Sequence, residues 1–173
     1  ENSYFKNSLQ SFQISNSTFE NYENYIGKQE QITGFGKVDL TYDISKTKTF
    51  VFSSKYNYGS KKNRNELNFN SDFIDQKLAN KNQLLDQKIV LTNKFKENSV
   101  LLFTLRYINE KTPQIYTTNK FIYQDIFNTS GNNIEQTSSN KMDFIGFETH
   151  LINRNQNENI FEIQIGNQFR KDN

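Results

Sequence analysis

Lys37-Val38-Asp39-Leu40-Thr41-Tyr42-Asp43-Ile44 alternates without a break: Val38, Leu40, Tyr42 and Ile44 fall on one side of an extended chain, and Lys37, Asp39, Thr41 and Asp43 on the other. Period two of this regularity predicts a strand with one apolar and one charged face. The following run sets Phe50, Phe52, Tyr56 and Tyr58 against Ser53, Lys55 and Asn57. Only Ser45 to Lys48 separates the two runs, which predicts a hairpin with a tight turn.

The same design recurs downstream. Ile89, Leu91 and Phe95 oppose Lys88, Thr92 and Lys94; after Lys96-Glu97-Asn98-Ser99, Leu101, Phe103, Leu105 and Tyr107 oppose Thr104 and Arg106. A third, less regular pair joins residues 141–152 to Phe161, Ile163, Ile165 and Phe169, which oppose Glu162, Gln164 and Gln168. Between these hairpins lie polar stretches at 60–84 and 109–140, which read as long loops beyond the roughly 12–15 residues usual in compact domains. A short helix is expected at Ile74 to Leu85. Residues 1–33 show no sustained period and read as an N-terminal loop or strand-edge segment, and Gly34-Phe35-Gly36 as a flexible entry into the Lys37 strand.

Composition narrows the class. Only 34% of the 173 residues are hydrophobic, yet 16 Phe and 9 Tyr make the chain aromatic-rich, unlike disordered segments. The 26 Asn fit turn and loop chemistry. With 21 basic and 19 acidic residues, no net field points to nucleic acid. The absence of Cys removes disulfides, thiolate metal sites and cysteine nucleophiles, and no apolar run reaches the roughly 18 residues of a helical span.

Alternating faces combined with short turns at one end and long connections at the other predict an all-β, antiparallel up-and-down transmembrane β-barrel segment of about six to eight strands, with short periplasmic turns and long extracellular loops. In lipid every backbone N–H and C=O needs an internal partner, so a sheet crosses only as a wall with oil outside and water within. Residues 34–173 form that barrel part. The lipid-facing candidates are Val38, Leu40, Tyr42, Phe50, Phe52, Ile89, Leu91, Leu101, Phe103, Leu105, Ile163 and Ile165. Asp39, Asp43, Lys55, Lys88, Lys94, Arg106 and Glu162 are the lumen-facing candidates. Phe50, Phe95 and Phe161 flank the short turns, and Tyr58 and Tyr107 lie toward the long connections, as two interfacial girdles require. Two other architectures fit the same alternation: a soluble or surface-displayed β-sandwich that binds glycan, and a complete eight-stranded outer-membrane barrel.

Catalytic signatures are missing. His150 is the sole histidine and reads as a polar residue on a strand face; Gly34-Phe35-Gly36 lacks the third glycine of a dinucleotide loop; no phosphate-binding or calcium loop occurs. No enzyme activity, metal or cofactor is expected. The basic cluster Lys61, Lys62 and Arg64 reads as a solvated loop tip within reach of lipopolysaccharide phosphates.

Residues 34–43 (Gly-Phe-Gly-Lys-Val-Asp-Leu-Thr-Tyr-Asp), 105–114 (Leu-Arg-Tyr-Ile-Asn-Glu-Lys-Thr-Pro-Gln) and 166–173 (Gly-Asn-Gln-Phe-Arg-Lys-Asp-Asn) resemble the barrel portion of TonB-dependent receptors and related outer-membrane proteins of Bacteroidetes. The resemblance covers roughly residues 30–173. It implies a plugged barrel of about 22 strands, of which this chain would be part, located in the bacterial outer membrane and importing a bulky nutrient. It also implies the partners: outer-membrane lipids and lipopolysaccharide, a plug domain and the rest of the barrel, a surface lipoprotein, and the energising TonB system. The segments 60–84 and 109–140 would form the outer mouth and bind ligand.

Overall fold

A computed structural model describes residues 2–14, 17–70, 72–96, 98–120, 133–155, 157 and 159–173. The chain is all-β: β1 (Asn2–Ile14), β2 (Ser17–Ser45), β3 (Lys48–Phe69), β4 (Asp72–Lys96), β5 (Ser99–Thr118), β6 (Ile134–Arg154) and β7 (Ile160–Asp172). They form one sheet in the order β1-β2-β3-β4-β5-β6-β7, an antiparallel meander in which every strand pairs with its sequence neighbours. β1 and β7 are not paired with each other, so the sheet has two edges. All seven strands share this one sheet, whereas a sandwich packs two.

Short connections set this topology. Ser45 Oγ accepts the Thr47 amide at 3.3 Å, closing the β2–β3 turn. The β6–β7 connection is closed by Asn155 N donating to Asn159 O at 2.8 Å. Between β3 and β4, Asn70 adopts a left-handed φ of 45°, a conformation that Asn tolerates better than most side chains. Its side chain accepts the Tyr22 amide at 2.8 Å and donates to Asn21 Oδ1 at 2.8 Å.

This hairpin corrects the reading of 60–84 as a long loop. β3 continues to Phe69 and β4 begins at Asp72, so only a tight turn separates them. The stretch expected to be a helix, 74–85, is strand as well. Their backbone groups are satisfied by neighbouring strands, which needs no apolar face in the segment itself. Residues 109–140 shorten in the same way: β5 extends to Thr118 and β6 begins at Ile134, leaving a connection whose residues 121–132 lie outside the described ones. Residues 2–14 and 17–33 are strand, with β1 as an edge, and β2 passes through Gly34-Phe35-Gly36 without interruption.

Contacts divide the chain into two units. The first comprises Glu1–Thr33, Gly59–Lys81 and Pro113–Ser139. Its β1–β2 ladder pairs Asn2 with Gln29 through to Ile14 with Ser17. Tyr4 lies opposite Gly27, and its ring covers that glycine so closely that a Cβ there would have to displace the ring. The surface of this unit carries ion pairs beside exposed Phe5, Leu9, Ile32 and Phe73. Arg64 donates Nε to Asp75 at 3.2 Å, Lys77 pairs with the same carboxylate at 3.5 Å, and Lys120 reaches Asp72 at 2.6 Å. The bond to Asp75 raises the Arg64 pKa above its ordinary value.

The second unit comprises Gly34–Tyr58, Asn82–Thr112 and Asn140–Asn173, the stretches in which period two is strongest. Its β6–β7 register runs from Met142 opposite Asp172 to Arg154 opposite Ile160.

Candidate functional site

Contacts between strands of the second unit identify which alternating series share a face. Ser53 Oγ donates to Asp39 at 2.7 Å and Thr49 Oγ1 to Asp43 at 2.9 Å, joining the odd-numbered residues of β2 and β3. Lys55 stands within Coulombic range of both Asp39 and Asp86, which carries the series onto the even-numbered residues of β4. Arg106 donates Nε and Nη2 to the two oxygens of Asp86, both at 2.9 Å, extending it to β5. On the other face, the Phe103 and Phe147 rings stack with centroids 6.4 Å apart, and the β6–β7 register places Ile145 opposite Phe169 and Leu151 opposite Ile163.

The two faces differ chemically. One carries Asp39, Asp43, Lys55, Lys88, Lys94, Arg106 and Glu162, all seven residues expected to face a lumen. The side chains there form a network: Lys37 pairs with Asp39 at 2.5 Å, and His150 pairs with Glu162. An open cleft of about 510 Å³ is lined by Lys88, Thr104, Arg106, Glu148 and Gln168, with Gly146 and Gly166 as its floor. Removing side chains at these two glycines leaves room there. A Cβ on Gly146 would meet the Phe144 ring at 2.9 Å, and one on Gly166 would meet the Phe147 carbonyl oxygen at 3.1 Å.

The other face is apolar and largely uncovered. Val38 is 53%, Leu40 56%, Phe103 40% and Ile165 66% exposed; Tyr42, Leu91, Leu105 and Ile163 are exposed too, and Phe50, Phe52, Ile89 and Leu101 are half-buried. Ile74, at 2%, is the one buried hydrophobic residue among those described. None of these twelve side chains is buried.

Gln168 belongs to the charged face, as its alternation predicts; Asp86 and Glu148 belong to it too, without a sequence signal of their own. Asp86 lies two residues before Lys88 in the same series, just past the stretch 60–84 read as a loop; the alternation extended backwards from Lys88 reaches it. Tyr58 and Tyr107, expected in the outer girdle, are half-buried, and Tyr107 donates to Asp143 at 3.2 Å. Among the described residues no group of three or more His, Cys, Asp or Glu could hold a metal ion, and no helix is long and apolar enough to cross a membrane. No protein-family model matches the chain, and no curated protein matches it significantly.

Proposed function

We propose that this chain forms part of the wall of an outer-membrane β-barrel of the TonB-dependent-receptor type, whose whole takes up a bulky nutrient by energised transport. The observation that carries this reading is the exposed apolar face of the second unit, set against a charged, hydrogen-bonded opposite face. Water-soluble monomers rarely leave contiguous apolar patches larger than a few hundred Å², and lipid is the solvent that makes such a face favourable.

Strand length supports the same reading. A tilted strand crosses a bilayer in about 9–11 residues, whereas β2 to β6 have 20 to 29. In each, the alternating apolar series described above belongs to the second unit. In the second unit the unpaired edges are the 34–45 part of β2 and β7; unpaired backbone there is costly in hydrocarbon, so further strands complete the wall. Asp39, Lys55, Lys88 and Arg106 then line the wet interior, where they meet the plug and the passing solute.

Electrophoresis of the membrane-extracted protein tests this. Heat-modifiable migration and loss of solubility on detergent removal are expected; a monodisperse monomer in detergent-free buffer would contradict the reading.

A further inference from the structure

We propose that the end of the apolar face remote from the short turns carries a site for the phosphates of an anionic lipid headgroup, formed by Lys111, Lys141 and Lys171. The proposal rests on the reading of that face as lipid-facing.

On three neighbouring strands the apolar series gives way to lysine. In β6, Leu151, Phe147 and Ile145 are followed on the same face by Asp143 and Lys141. In β7, Phe169 is followed by Lys171, which stands directly opposite Asp143. In β5, Leu105 is followed by Tyr107, Asn109 and Lys111, and both Tyr107 and Asn109 reach across to Asp143, at 3.2 and 2.6 Å. The face thus changes from hydrocarbon-like to cationic within a few residues on each strand, at the depth where a Tyr hydroxyl and an Asn amide also appear. That sequence of chemistries matches the passage from acyl chain to headgroup.

The charge there is unbalanced. Asp143 is the one carboxylate in the cluster, and Lys141 at 2.7 Å, Asn109 and Tyr107 already engage it. Lys111 and Lys171 are exposed and form no ion pair among the described residues. Nearby Asp172 belongs to the opposite series and is held by Arg170 at 2.9 Å. Two unpaired ammonium groups at the rim of an apolar surface, on stems that can lie along it, suit phosphate oxygens better than a neutral headgroup. A lysine near an anionic membrane surface contributes about 1 kcal/mol, or about fivefold in affinity.

The test uses the protein reconstituted in phosphatidylcholine vesicles and titrated with diphosphoryl lipid A. Each single Lys→Gln substitution should weaken retention about fivefold, and K111Q/K141Q/K171Q about a hundredfold, whereas K6Q/K28Q/K81Q, with the same charge change, should bind as the unaltered protein does. Inorganic phosphate at the same phosphate concentration should not compete. Equal binding by the two triple variants, or competition by inorganic phosphate, would overturn the headgroup site while leaving the lipid-facing assignment intact. Failure of the unaltered protein to enter vesicles would overturn both.

Discussion

Arg106 grips Asp86 with two parallel hydrogen bonds of 2.9 Å from β5 to β4, and the pair lies on the face that also holds Lys55 and Lys88. Geometry of this kind is strong wherever it occurs, but its contribution depends on the solvent around it. Arg106 is about half exposed. On a water-filled interior the coupling should be about 1 kcal/mol, and Asp86→Asn should cost little more. A loss of about 3–5 kcal/mol in unfolding from detergent or vesicles would place the pair in a dry environment, against the assignment of the faces.

Substitution on the opposite face should behave differently. Leu40→Arg is expected to cost about 2–4 kcal/mol near mid-membrane, because Val38, Tyr42 and Phe52 on that side offer a guanidinium no carboxylate. Thr41→Arg, one residue along and on the charged face, should stay within about 1 kcal/mol. Unfolding titrations of the two variants in vesicles check the contrast, and equal costs would contradict it.

The β1 edge depends on a close fit between Tyr4 and Gly27. Gly27→Ala would drive a methyl group into the Tyr4 ring and is expected to destabilise the β1–β2 ladder by about 1–3 kcal/mol. Tyr4→Ala makes room for that methyl, so the double variant should lose less than the sum of the two single ones. Hydrogen exchange of the Tyr4 to Leu9 amides reports this directly; strict additivity would mean that the ring does not sit on the glycine in solution.

The same Tyr4 hydroxyl lies 2.8 Å from that of Tyr25. Burial first, and then the hydrogen bond and the charge repulsion from Tyr4, push the Tyr25 pKa up to about 12. A folded-state pKa above the ordinary value of about 10 means that the native form holds its proton more tightly. The associated stability is therefore complete below about pH 10 and is lost as pH rises toward 12. Phenolate absorbance should show one late-titrating tyrosine in the native protein, and Tyr4→Phe should move it back toward the ordinary range. Titration of every tyrosine together near pH 10 would contradict the pairing.

The parts of the fold legible in the sequence were those where the two faces differ. Around Val38, Phe52, Leu91, Phe103 and Ile163, apolar and polar positions alternate, so period two appears in the letters themselves. Lys61 to Leu67 and Asp72 to Lys81 are equally extended, but largely polar side chains on both faces erase the alternation, and the strands are held by neighbours that a local reading does not see. Ile74, Leu78 and Leu85 happened to fall near helical spacing. Without alternation on either side of Asn70, nothing in the letters marks the β3–β4 hairpin. Site residues followed the same rule: all seven charged candidates share one face, while Asp86 was missed because its strand was thought to begin at Lys88.

The absence of cysteine allows a direct test of the sorting of faces. Single cysteines placed at positions 38 to 43 in turn can be exposed, in vesicles, to a membrane-impermeant thiol reagent supplied on both sides and to a lipid-soluble quencher. Reaction at 39, 41 and 43 with quenching at 38, 40 and 42 is the expected result; uniform reactivity along the six positions, or the inverse alternation, would contradict a wall between oil and water.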